Sequence, residues 1–314
     1  MSIIEDGGLT INVNMTDKGD KGDTGEVSMA QLNEVRDIVD SLQAFVGYTD
    51  DDIMGVEVDF KNRKFTRLAG AVNKTPGEMF DDVQAFGGRK RCILTDDGVV
   101  LAYHGEPGYT ETGALTQAIT IGVEPDAVTY PVGTVVQVMV EQPKFYYKVV
   151  PLQLDKVVDG KGFHMRKARY YVSDVKKTGF KLHPAFIRDG KEKNFIYLSA
   201  YEGCSFDDSA GKYNISDEQN IDFTNDLLSS IAGAKPISGV EQSLTRANTR
   251  KLANNRGIGW EISYGATVAA TQLLFLIEYA SFNTQTAIGR GNVDKLSGES
   301  TISYTEITGA TTNL

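Results

Sequence analysis

From Val56 onward, apolar and polar positions alternate in short runs separated by turns. Val56-Glu57-Val58-Asp59-Phe60 reads as a strand that turns through Lys61-Asn62-Arg63-Lys64 into Phe65-Thr66-Arg67-Leu68. Arg91-Cys92-Ile93-Leu94 and Val99-Val100-Leu101-Ala102-Tyr103 flank Asp96-Asp97-Gly98, which predicts a β-hairpin, because Asp-Gly supplies the positive φ angles of a tight turn. Thr134-Val135-Val136-Gln137-Val138-Met139-Val140 predicts a buried strand closed by Pro143, and residues 169–173 and 194–201 predict two more. Glu78 to Val83 reads as a short helix opened by Thr75 and Pro76.

Two longer segments have helical spacing. Over residues 244–255, Leu244, Ala247 and Leu252 fall on one side, with Arg246, Arg250 and Lys251 on the other. Residues 267–281 are apolar nearly all round, which predicts a buried helix. No repeat of fixed period appears, and the mixture is too irregular for stacked βαβ units. The expected class is α+β.

The first fifth of the chain follows a different pattern. Leu9, Ile11 and Val13 give residues 1–18 strand chemistry without a core, as in an anchor that orders on another protein. Gly19, Gly22 and Gly25 return at every third position, as a collagen-like triple helix requires; a flexible polar linker is the alternative. Leu32, Val35, Val39, Leu42 and Val46 then repeat at 3-4-3-4, the seam of a short coiled coil. An amphipathic helix lying on its own body would show the same seam. Triplets beside a seam favour three chains, hence a homotrimeric stalk. The division is 1–18 anchor, 19–47 stalk and 48–314 body.

Charge sharpens that division. The chain of 314 residues carries a formal net charge of −10. Residues 1–59 hold 14 acidic and 3 basic side chains, whereas the remainder holds 28 and 29, so the excess is confined to the N-terminal part. An acidic chain argues against a nucleic-acid coat. Apolar runs such as Leu273-Leu274-Phe275-Leu276-Ile277 are too short to cross a bilayer, so no membrane partner is expected. With Glu5 and Asp6 and no basic start, residues 1–14 do not read as a secretory signal.

Candidate chemistry is sparse. Cys92 and Cys204 read as small core residues, and two cysteines provide neither a disulfide framework nor a thiolate zinc site. His183, before Pro184 in a Phe-rich stretch, reads as a structural histidine bonded to backbone; His104 and His164 sit in Gly-rich turns. Asp50-Asp51-Asp52, Asp81-Asp82, Asp96-Asp97 and Asp207-Asp208 do not match a calcium loop. The basic run Arg89-Lys90-Arg91 borders a strand and is expected to pair with nearby acids. With no nucleophile elbow and no phosphate or dinucleotide loop, no catalytic residue, cofactor or metal is expected. Tyr201, Tyr213, Trp260, Tyr264 and Tyr279 offer faces for sugar rings, although most of these rings are expected to be core. Trp260, with Asn255, Arg256 and Tyr264 nearby, is the best placed for ligand binding: stacking on its ring, with Arg256 holding a hydroxyl or acidic group. The competing reading makes Trp260 a core anchor with its indole N–H satisfied internally.

Several blocks carry a resemblance. Arg91-Cys92-Ile93-Leu94 with Asp97-Gly98, residues 137–148, Gly179-Phe180-Lys181-Leu182-His183-Pro184-Ala185-Phe186 and Ile196-Tyr197-Leu198-Ser199-Ala200-Tyr201-Glu202-Gly203 belong to it. Asn255-Arg256-Gly257-Ile258-Gly259-Trp260 and residues 276–285 complete it. Together they resemble proteins of tailed phages infecting gut bacteria, crAss-like phages included, over residues 56–291. The resemblance implies a head- or tail-fibre or receptor-binding protein with a C-type-lectin-like body, set on the virion surface. Its implied partners are copies of itself, capsid or tail proteins, and a host surface glycan or protein. Relatives continue past Ile288-Gly289-Arg290-Gly291 into a Gly/Thr-rich segment and a Trp-containing module. Here the chain ends at Leu314, so that ligand-presenting part is expected to be missing or shortened. A short anchor favours the capsid over the tail. The alternatives are a virion-associated glycan depolymerase, which lacks its usual coil repeats and paired carboxylates here, and a surface adhesin.

Overall fold

In the computed structural model of the chain, alternation at the start of the body gives the hairpin it predicts. β1 (Met54–Asp59) pairs antiparallel with β2 (Lys64–Ala69), and Val56 and Val58 point into the core. Between them the Asp59 carboxylate accepts the backbone N–H of Asn62 at 2.9 Å, closing the turn. The structure describes residues 53–158, 160–216, 220–238, 242–289 and 306–309. The anchor residues Leu9, Ile11 and Val13, the triplet glycines Gly19, Gly22 and Gly25, the seam Leu32, Val35, Val39, Leu42 and Val46, and Asp50-Asp51-Asp52 lie outside them.

On the other side of β1 lies β9 (Phe163–Ser173), the return strand of a long hairpin with β8 (Tyr146–Lys156). β10 (Lys181–Leu182) completes the order β10-β8-β9-β1-β2. The sequence pattern misses β8. Its register slips between Pro151 and Gln153, where proline cannot donate to the ladder and the chain bulges.

A second sheet has the order β13-β7-β3-β4, formed by β13 (Phe195–Ser199), β7 (Gln137–Pro143), β3 (Lys90–Leu94) and β4 (Val100–Tyr103). The β3–β4 turn is a three-residue loop with only Gly98 at positive φ (81°), so Asp97 does not share the left-handed region. The remaining strands form small sheets: β15 (Lys212–Tyr213), β14 (Cys204–Asp207) and β16 (Leu227–Ser229) in that order, β5 (Ile119–Ile121) with β6 (Val128–Tyr130), and β11 (Ile187–Arg188) with β12 (Lys191–Glu192). All these pairings are antiparallel. Helices are few: α1 (Gln84–Gly87), α2 (Arg246–Asn255), α3 (Gly265–Tyr279) and α4 (Thr284–Ala287). The body is α+β.

α3 is not apolar-buried all round, as its composition predicts. Ala270, Leu273, Leu274 and Ile277 pack on Val56, Val58, Phe80, Phe86, Phe145 and Phe186, while Val268 on the opposite side is 45% exposed. α2 also differs from expectation: it starts at Arg246 behind the N-cap Thr245 and buries Leu252 and Ala253, leaving Leu244 and Ala247 outside. The second sheet is covered on both faces, which follows from the period-2 alternation of a central strand. Ile93 and Val138 face a core with Leu101, Leu115, Val136 and Ile231; Cys92, Leu94 and Met139 face the other way, towards Trp260.

His183 is a structural group. Its Nδ1 accepts the Ala185 N–H at 3.3 Å at the start of the turn Pro184–Phe186, and its ring lies among Phe145, Tyr147 and Phe186. Burial pushes its pKa down to about 4. The folded state therefore resists a proton that the unfolded chain accepts near pH 6.5. Its stabilisation is full above that pH and is lost as pH falls towards 4, on the order of 3 kcal/mol in all. Wild type should lose melting temperature between pH 7 and pH 5, and His183→Gln, which keeps an acceptor but does not titrate, should lose less. Equal losses would assign the acid sensitivity to other groups.

Candidate functional site

The four residues singled out around Trp260 lie at the C-terminal end of α2 and in the connection to α3, but they do not act together. Arg256 turns inward. Its guanidinium has no exposed surface, and it donates to the Leu228 carbonyl at 2.7 Å, to Ser229 Oγ at 2.6 Å and to the Asp96 carboxylate. A fully engaged, closed guanidinium cannot hold a ligand, so the expected role of Arg256 gives way to a structural one. It ties α2 to β16 and to the β3–β4 loop. Asn255 is likewise engaged, with Nδ2 donating to the Asp226 carbonyl at 2.9 Å.

Trp260 is half-buried and belongs to both expected readings. Its Nε1 donates to the Asp96 carbonyl at 2.7 Å, and its ring packs against Cys92, Leu94 and Met139. The remainder of the ring borders a cleft of about 350 Å³ together with Tyr264. Tyr197, Leu198 and Ser199 of the edge strand β13, Thr249 and Ala253 of α2, and residues 260–264 line it. Arg188 lines the same cleft.

Arg188 is the residue the sequence reading omits. It ends β11 immediately before Asp189 and Gly190, both at positive φ (50° and 72°), and pairs with Lys191. That is the geometry of a two-residue type I′ turn, for which Asp-Gly is the strongest short-range signal. The turn fixes the arginine backbone, and the guanidinium rests over the Tyr264 ring at 4.1 Å. Tyr264 is held in turn by Thr267, whose Oγ1 accepts its N–H at 3.2 Å and donates to its carbonyl at 2.9 Å.

No family model matches the chain, and no curated protein or solved structure is significantly similar to it. The site is therefore read from its own chemistry. Tyr197 donates its hydroxyl to Glu141 at 3.0 Å, and Tyr103 donates to the same carboxylate at 3.1 Å. Burial first, then the adjacent Glu141, pushes the Tyr103 phenol up to about 12 and the Tyr197 phenol upward as well. Both rings keep their protons and serve as donors to the carboxylate of Glu141, a residue only 7% exposed. The polar end of Tyr197 is thus occupied behind the cleft.

The other aromatic candidates are structural. Tyr201 and Tyr109 donate to Glu111 at 2.8 and 2.7 Å, and Arg91 reaches the same carboxylate at 3.1 Å. Burial opposes ionisation of Glu111, but these donors outweigh it and hold its pKa below the ordinary value. Tyr213 donates to the Gly113 carbonyl at 3.1 Å, and Tyr279 stacks on Phe275. Arg89 reaches Glu278 at 3.6 Å, so the basic run does pair with neighbouring acids at two of its positions.

Both cysteines are buried, and burial pushes each thiol up to about 12, so neither supplies a thiolate at neutral pH. Asp207 caps its own turn through the Ala210 N–H at 2.9 Å, and Asp96 serves Arg256 and Trp260. Among the described residues no group of His, Cys, Asp and Glu is arranged to hold a metal ion, and no helix is long and apolar enough to cross a membrane. The cleft offers apolar ring surface, hydroxyls and one guanidinium, which is the equipment of a binding site.

Proposed function

We propose that the chain is a fibre protein of a tailed-phage virion: a homotrimer whose body, C-type-lectin-like by resemblance, meets the host surface through the cleft between β13 and the α2–α3 connection. The observation that carries this reading is the division of one chain into two chemistries. Glycine triplets and an a/d seam crowd into an acidic N-terminal part, and a near-neutral α+β body follows with a cleft of aromatic rings and a guanidinium. The blocks that resemble phage fibre proteins supply parts of this site: Tyr197 and Ser199 from one, Trp260 from another.

In this reading residues 1–18 add to a sheet edge or groove on another virion protein, of the capsid or the tail. Intact chain should have the solution mass of a trimer. Val39→Asp with Leu42→Asp should release folded monomers, because two charges in a two-heptad seam outweigh its apolar burial. Deleting residues 2–18 should leave the trimer intact and abolish incorporation into particles. A monomeric intact chain, or normal incorporation of the deleted form, would overturn the arrangement.

A further inference from the structure

We infer that the cleft takes an acidic saccharide, a sugar whose carboxylate is held by Arg188. This deepens the proposed function and rests on the reading of the cleft as the ligand site. Arg188 is the one basic residue among those lining the cleft, and among the described residues it forms no ion pair; its guanidinium contacts the Tyr264 ring. The one acid in the lining, Glu261, already faces Arg250 at 3.3 Å. A planar guanidinium, held over a ring and set beside a tight turn, is pre-organised to offer two parallel donors to a carboxylate.

The rest of the lining suits a sugar ring. Trp260 and Tyr197 both direct their polar atoms away from the cleft, to the Asp96 carbonyl and to Glu141, so ring carbon is what they present. Flat carbon surface matches the C–H face of a pyranose. The Ser199 and Ser263 hydroxyls have no hydrogen bond to the described residues and are available to sugar hydroxyls. A volume of about 350 Å³ is at the small end for ligand sites and fits a mono- or disaccharide rather than a long chain segment.

A matched pair of ligands tests this. The full chain is titrated calorimetrically with a glucuronic-acid disaccharide and with its methyl ester, which keeps the shape and removes the charge. The acid should bind about tenfold more tightly, the worth of one charge-assisted contact. Arg188→Gln should bring the acid to the level of the ester at unchanged melting temperature, and Arg188→Lys, which keeps the charge but not the fork, should fall between. Equal binding of acid and ester by wild type, or a preference that survives Arg188→Gln, overturns the inference while leaving a neutral-sugar cleft in place. Binding of neither ligand overturns both the inference and the saccharide reading of the cleft.

Discussion

Arg256→Met should destabilise the body by about 3 kcal/mol, the cost of breaking a buried, hydrogen-bonded ion pair by removing one partner. The guanidinium occupies a site without solvent, and three acceptors converge on it. Methionine fills much of the volume but leaves the Leu228 carbonyl and Ser229 Oγ without their donor. The Asp96 side chain is 37% exposed and regains water, which keeps the cost at the lower end of the usual range. Lysine does not rescue, because one ammonium on a flexible stem does not reproduce the fork. Urea unfolding should show a lower midpoint at unchanged slope. A variant as stable as wild type that no longer binds host cells would return Arg256 to the ligand-holding role its neighbours in sequence suggest.

Trp260→Ala should also cost about 3 kcal/mol, near the lower end for a large aromatic, since part of the ring borders the cleft. The loss combines contacts to Cys92, Leu94 and Met139 with the bond to the Asp96 carbonyl. Because Asp96 also receives Arg256, the two substitutions should not be additive. Trp260→Phe separates packing from binding. It keeps a flat face, loses one hydrogen bond, and should lower stability by only about 1 kcal/mol while retaining ligand. A stable Trp260→Ala variant would show that the ring is a surface feature.

Much of the fold was legible because alternation and turn chemistry agree. The β1–β2 and β3–β4 hairpins, β7, β13 and α3 follow from apolar spacing and local breakers; α2 forms where helical spacing was read but buries Leu252 and Ala253 and leaves Leu244 and Ala247 outside. β8 was not, because Pro151 interrupts the pattern of a strand that tolerates it at a bulge. The one-sided burial of α3 was not legible for a different reason. Composition reports how apolar a helix is, but which face meets the sheet is decided by its neighbours.

At the site, Trp260 and Tyr264 were legible as aromatic candidates, and both border the cleft. The direction of Arg256 was not. Its acceptors come from β16 and the β3–β4 loop, 28 and 160 positions away, and no local pattern encodes that meeting. Arg188 had a readable signal in the Asp189-Gly190 turn that follows it, but its contact with Tyr264 depends on tertiary structure.

The proposed place of the chain in a virion is tested most directly by imaging purified phage particles decorated with an antibody against the body, residues 48–314. Label should sit at the outer ends of fibres projecting from the particle surface, on the capsid or the tail. Particles that carry no label, while the protein accumulates in the infected cell, would contradict the assignment as a virion fibre.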